Sequence, residues 1–336
     1  MNTLVNFRPA QPSKTDQFSA GANSLTALTL NIANAQTITY PNRPVRMIVP
    51  TTPAGPIDVQ ARLLAEHLTT AFGRQVIVDN RAGASGIIGL SNVASASADG
   101  HTLAFASQAH LALHPSLHKL PYDIEKDFSP IILMGHVRYL LLTHPSVGAN
   151  NLKELLALLR SKPGHYNFAS VSSGSNSHII GELFKRTAKV NIVHIPYRGA
   201  GPAYVGLVSG ESHLMFASPV AVTHYVRNGQ LKAIAIAAGL RSDQFPELPT
   251  MNEAGLPGFE SAGWLALITR SGVTSSIITK LNAEVNRFLK LPQIRERLST
   301  MDVDPAGGSV NDVTAHIHSE RAKWATVIKE AGIKIQ

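Results

Sequence analysis

The chain has 336 residues, room for two domains of roughly 100–200 residues each, and 44% of it is apolar against 15% charged. That balance excludes general disorder and a single small module. Lys and Arg exceed Asp and Glu by 30 to 22, but the cations are scattered singly and aromatics make up only 6%, which disfavours a nucleic-acid groove; the lack of cysteine removes disulfides, thiolate nucleophiles and cysteine metal sites together.

Near the start, the apolar run Leu25–Ile32 ends at Ala33-Asn34-Ala35, a small-x-small pattern. Residues 1–35 read as a degraded signal peptide, since only Arg8 and Lys14 precede the run as cations and Thr26 and Thr29 interrupt it. A disordered tail or a wrongly assigned start fits these residues as well. Farther on, SPIILMGHVRYLLLTHPS is broken by His136 and Arg138, so no membrane span is expected.

From residue 40, short β-branched runs alternate with helical patterns, the mark of α/β layering. RMIVP (46–50) reads as a buried strand. The helix 58–72 then puts Val59, Leu63, Leu64, Leu68 and Phe72 on one face, with Gly73 as its stop. QVIVD (75–79), a small-residue helix over 86–96 and HTLAFAS (101–107) repeat the unit, and such crossovers predict a parallel sheet. The middle of the chain follows the same plan. Helices are expected over 151–161, 177–188, 202–209 and 220–228, and strands over 166–170, 191–195, 213–218 and 231–237. The tail reads as helical over 275–289, 292–299 and 310–331.

Two extended segments, 137–145 and 263–272, are placed to join a pair of lobes. Residues 142–262 then form one lobe, and 38–141 with 263–336 the other, around a hinged cleft. Ligands of open parallel sheets lie beyond the carboxyl ends of the strands, where helix N-termini present unpaired N–H groups. The loop TTPAGPID (51–58) lies at such an edge, with little bulk at Ala54, Gly55 and Pro56 and with Asp58 to brace it. SVSSGSNSH (170–178) supplies hydroxyls at Ser170, Ser172, Ser173, Ser175 and Ser177, the Asn176 amide and a flexible Gly174. Each loop reads equally as a binding turn or as an ordinary capped turn. The loops SQAH from Ser107, YRGAG with Arg198, and ASPVA with Ala217 and Ser218 fall at the same edge.

Other chemistry fits less well. His110, His114 and His118 are spaced by four, but Pro115 opposes a continuous helix and no carboxylate lies among them, so no metal is expected. GASGIIG (83–89) only loosely mimics a dinucleotide fingerprint and is read as helix-to-sheet packing. His178 beside serines lacks an orienting acid and an evident oxyanion hole, so no nucleophile is assigned.

Taken in order, YPNRPVRMIVP, TPAGPID, VDNRAGASGIIG, ADGHTLAF, LPYDIEKDFSPI, NFASVSSGSNSHIIGELF, HIPYRGAGPA, LPTMNEAGLPGFE and LNAEVNRFL resemble the Bug family, the extracytoplasmic solute-binding proteins that include TctC-like receptors of tripartite tricarboxylate transporters. The resemblance covers residues 40–333. It implies a two-lobed periplasmic binding protein fold, type II-like, closing on a small di- or tricarboxylate, aromatic acid or acidic amino acid. It also implies export to the periplasm, TctA- and TctB-like membrane partners, and neither cofactor nor enzymatic activity.

Carried onto this chain, the carboxylate clamp falls on Pro53, Ala54, Gly55 and Asp58 and on Ser170, Ser173, Gly174, Ser175, Asn176 and Ser177. Residues 199–201, with Gly199 and Ala200, and 217–219, with Ala217 and Ser218, complete the walls, and the sheet-edge reading adds Ser107 and Arg198. Ala54 replaces a glycine usual in the family. Ala217 replaces a frequent Asp, which favours an acid without an ammonium group. A monomer is expected, and a sensory partner of a membrane histidine kinase is the alternative role for the same pocket.

Overall fold

The computed structural model describes residues 40–333. In chain order these form β1 (Val45–Val49), α1 (Pro56–Phe72), β2 (Val76–Asn80), α2 (Ile87–Ala94), β3 (Thr102–Ser107), α3 (His114–Leu117) and β4 (Phe128–Val137). The middle block supplies β5 (Leu140–Thr143), α4 (Leu152–Ser161), β6 (Asn167–Ser170), α5 (Asn176–Ala188), β7 (Val193–Pro196), α6 (Ala200–Val208), β8 (Leu214–Ala217), α7 (Pro219–Arg227) and β9 (Lys232–Ile236). The last stretch adds β10 (Gly263–Arg270), α8 (Ser275–Lys290), α9 (Pro292–Thr300), β11 (Val303–Gly307) and α10 (Val310–Ala331).

Two sheets result. The first has the order β11-β4-β10-β3-β1-β2 and the second β7-β6-β8-β5-β9. Both are mixed rather than purely parallel. β1 runs parallel to β2 and β3, but β10 is antiparallel to both β3 and β4; in the second sheet β5 is antiparallel to β8 and β9. Each sheet has its own core. Leu64, Leu68, Met47 and Phe105 pack beneath α1, whereas Phe168, Phe184, Phe216 and Phe259 fill the space beside α5.

The helices begin where capping chemistry allows. Asn151 accepts from the Glu154 N–H to start α4, and Ser309 with Asp312 forms a capping box on α10. On α1, Leu63, Leu64 and Leu68 are buried as the spacing predicts, but Val59 faces solvent and Asp58 is buried instead.

The segments read as lobe connections divide differently. Val137 still pairs with β10 and β11 in the first sheet, while Leu140 already pairs with β8 and β9 in the second, which leaves Arg138 and Tyr139 as the crossing. β10 stays wholly in the first sheet, and the return runs through residues 237–262. The two crossings lie side by side, since Ala237 N–H donates to the Tyr139 carbonyl at 2.8 Å. Arg138, nearly buried, donates to Asp302 and Asp304 at 3.3 and 3.0 Å and ties the first crossing to β11.

Candidate functional site

One large cavity, about 470 Å³, opens where strands of both sheets end. That is within the usual size for a small-molecule site. Four helices start on it. Gly55 precedes α1, Ser175 precedes α5, Gly199 precedes α6 and Ser218 precedes α7, and all four residues line the cavity. Three of these N-termini carry no side-chain cap, at Gly55, Gly199 and Ser218, which leaves the first-turn N–H groups for another acceptor. Pro56 and Pro219 occupy the first turns of α1 and α7, where their missing N–H costs nothing. Each helix end favours an anion by about 0.3–1 kcal/mol.

The loop after β1 is braced from behind. Asp58 Oδ2 accepts from the Ala54 N–H at 2.8 Å and from Arg62 Nε at 2.9 Å, while Oδ1 accepts from Asn80 Nδ2 at 2.9 Å. Burial alone raises the Asp58 carboxyl, but the hydrogen bonds from Arg62, Asn80 and Ala54 outweigh it and hold the group below its ordinary value. Pro53, Ala54 and Asp58 therefore support the loop without lining the cavity; Thr51, Thr52 and Gly55 form its face. Ala54 adopts φ 61°, a left-handed conformation that a side chain disfavours.

The loop after β6 is braced by neutral groups. Ser170, fully buried, donates to the Ser172 carbonyl at 3.0 Å and pairs with His194 Nε2 at 2.7 Å. Gly174, at φ 77°, donates its N–H to His178 Nδ1 at 3.0 Å, and the His178 ring stacks on His194 with centroids 3.8 Å apart. Burial lowers His178 to about 4 and His194 to about 3, with nearby Lys185 adding to both. Ser170, Ser173 and Gly174 are thus absent from the cavity lining, while Ser172, Ser175, Asn176 and Ser177 belong to it. Ser173 has a further part. Its carbonyl accepts from Ser85 Oγ at 2.6 Å, a bond from the loop after β2 to the loop after β6 that joins the two halves.

Ser107, Arg198, Gly199, Ala200, Ala217 and Ser218 line the cavity. Arg198 is exposed and is the one charged side chain in the described lining at neutral pH, since burial lowers His110 to about 4 and holds His114 well below its ordinary value. Among the described residues, no carboxylate lines the cavity. Apolar and aromatic walls come from Ile57, Val137, Tyr139, Tyr204, Met215, Phe216 and Trp264. Burial pushes the Tyr139 hydroxyl up to about 12 and Tyr204 higher, so both stay neutral donors.

The model of the tripartite tricarboxylate transporter family receptor, TctC, matches residues 60–333. The chain belongs to this receptor family. Protein BugT of Bordetella pertussis is 37% identical over 300 residues, spanning 89% of this chain and 92% of BugT. Two solved structures resemble it closely. An R. palustris protein with adipate has a TM-score of 0.85 at 33% identity, covering 88% of this chain and 99% of that one. MatC from Rhodopseudomonas palustris with bound malate has a TM-score of 0.81 at 32% identity, covering 86% and 100%. TctC-family proteins are solute receptors, not enzymes. Among the described residues, no helix is long and apolar enough to cross a membrane.

In this TctC-family chain the serine-rich loop holds no nucleophile pair: the His178 ring is engaged with Gly174 and His194, and only its backbone N–H reaches Ser175, at 3.4 Å. Of the histidines spaced by four, His110 and His114 lie on one helical stretch and His118 stands just past its end. A wide turn over Ala109–Leu113 runs into α3, where Pro115 sits in the first turn and needs no N–H partner. Their rings meet edge to face at 5.5 and 5.0 Å.

Reading the sequence missed Thr51, Thr52, Ser85, Gly86, His110, Tyr139, Tyr204 and Trp264 as lining residues. For Ser85 and Gly86 the signal was present. GASGIIG follows β2 as TTPAGPID follows β1, so the same strand-end rule applies to it. Gly86 is required sterically, because a Cβ there meets His110 Nε2 at 2.4 Å and the Pro50 carbonyl at 2.9 Å.

Proposed function

We propose that this chain is an extracytoplasmic receptor that closes over a small carboxylate between its two sheets and delivers it to a tripartite tricarboxylate-type membrane transporter. The observation that carries this reading is the convergence of four helix N-termini on a cavity with no carboxylate in its described lining. Backbone N–H groups and the hydroxyl of Ser177 grip the acid, each charge-assisted bond contributing about 1.5–3 kcal/mol, while Ser175 spends its own proton on the Ser172 carbonyl at 2.7 Å. Arg198 draws the anion toward the opening.

The adipate and malate held by the two R. palustris relatives support an acid ligand. Ala217 and the neutral walls leave an ammonium group without a carboxylate partner, which favours an acid that carries no amine. We place the hinge at Arg138–Tyr139 and the return segment, so that residues before and after the middle block move against it. Periplasmic delivery relies on residues 1–35 as the signal peptide, and these lie outside the described residues.

Thermal unfolding in the presence of malate, adipate, citrate, benzoate, aspartate and 1,6-diaminohexane tests the reading. At least one unaminated acid is expected to stabilise the fold by about 4 kcal/mol at a thousandfold excess over its Kd. No response to any acid, or a response to the diamine, overturns it.

A further inference from the structure

The neutral donors gripping the acid leave one buried side chain in the wall unexplained. His110 is 4% exposed and lines the cavity, yet nothing among the described residues takes up its Nε2. Its other nitrogen is committed. Nδ1 accepts from the Ser107 backbone N–H at 3.1 Å and lies 3.0 Å from the Ser107 hydroxyl. A ring nitrogen that accepts from an N–H carries no proton, so the neutral ring bears its proton on Nε2.

The backbone makes room for the ring. Gly86, another lining residue, stands next to Nε2 with φ 95°, and any larger residue would run into the imidazole at 2.4 Å. On the other side His114, fully buried, packs edge-on against the ring at 5.5 Å and holds its orientation. A donor held in place in the cavity wall, with no protein partner, gains a hydrogen bond when a bound molecule brings an acceptor, and one to an ionised acceptor is about twice as strong as a neutral one.

We propose that His110 presents its Nε2–H to the cavity and selects acids that carry a second oxygen acceptor, such as a further carboxylate or a hydroxyl, besides the carboxylate held at the helix N-termini. This rests on the receptor reading above and adds a specificity residue to it. Burial keeps the ring neutral at physiological pH, so it acts as a donor without adding charge.

Calorimetry with three probes tests the assignment: adipate, malate, and hexanoate as the acid of adipate's length that lacks the second acceptor. The wild-type chain binds adipate or malate at least about tenfold more tightly than hexanoate, the equivalent of one unpaired donor. In His110→Phe that preference falls below threefold, and His110→Gln, which restores an N–H, recovers part of it. Melting curves of both variants confirm folding. Nitrogen-15 NMR of the ring in the wild-type chain shows the proton on Nε2 and a shift of that nitrogen when adipate or malate binds. Equal weakening for all three probes, an unchanged preference in His110→Phe, or a proton on Nδ1 overturns the assignment while leaving the receptor reading intact. A wild-type chain that binds no acid removes both.

Discussion

The loops after β1 and β6 do similar work on opposite sides of the cavity, yet they are held by different chemistry. The first hangs on an ionised carboxylate, Asp58, with Arg62, Asn80 and the Ala54 N–H around it. The second rests on serine hydroxyls and on two stacked, uncharged imidazoles. In both, the bracing groups stay out of the cavity lining, and backbone and neutral side chains are what face the ligand. A site for anions can use charge to set its shape while keeping negative charge out of its lining.

The largest effect is expected where the charged brace is removed. Asp58→Ala leaves Ala54, Arg62 and Asn80 without their acceptor and costs roughly 3 kcal/mol in urea unfolding, with loss of acid binding. A variant as stable as the wild type would mean that the loop keeps its shape without the carboxylate.

Acid separates the two loops next. The folded values of His178 and His194 lie below the ordinary 6.5, so the unfolded chain takes up protons first. Stability from these rings is complete above about pH 6.5 and falls as pH drops toward 4 and 3. Asp58 also sits below its ordinary value, and what it contributes is lost only beneath the carboxylate range. Between pH 6.5 and 4.5, amide exchange should therefore quicken in residues 170–178 before it does in 51–58. Simultaneous loosening would show that the stacked pair does not hold its loop.

Smaller effects follow at two single positions. Ser85→Ala removes the bond to the Ser173 carbonyl between the halves and, if the proposed closure uses that bond, weakens acid binding about fivefold with little change in stability of the unliganded protein. Ala54→Gly relieves a left-handed residue and should add up to about 1 kcal/mol of stability, measured by the urea midpoint.

Much of the fold is written locally. β1, α1, α8 and α10 announce themselves through period and through residues such as Gly73 and Ser309 at their ends. β4 does not, because Phe128–Val137 is largely buried and shows a nearly continuous apolar run instead of alternation. β11 carries Pro305 and Gly307, poor strand formers, and is paired onto β4 beside the Arg138 ion pairs. The mixed sheets arise from these long-range pairings, which short crossover patterns do not encode.

At the site, the sequence indicates which loops converge but not which way each side chain turns. Ser170 and Ser175 look alike in SVSSGSNSH, yet one is buried against His194 and the other faces the cavity. Tyr139 and Trp264 belong to the crossing and to β10, outside any strand-to-helix loop, so strand-end reasoning passes over them. His110 joins the wall through the wide turn at Ala109–Leu113, which spacing by four does not reveal.

The central claim, that uncharged donors recognise the carboxylate itself, is tested most directly by titrating the wild-type chain with the acid that binds and with the methyl ester of that acid. Binding should survive for the free acid and fall at least a hundredfold once its carboxylates are esterified. An ester that binds as well as the acid would contradict it.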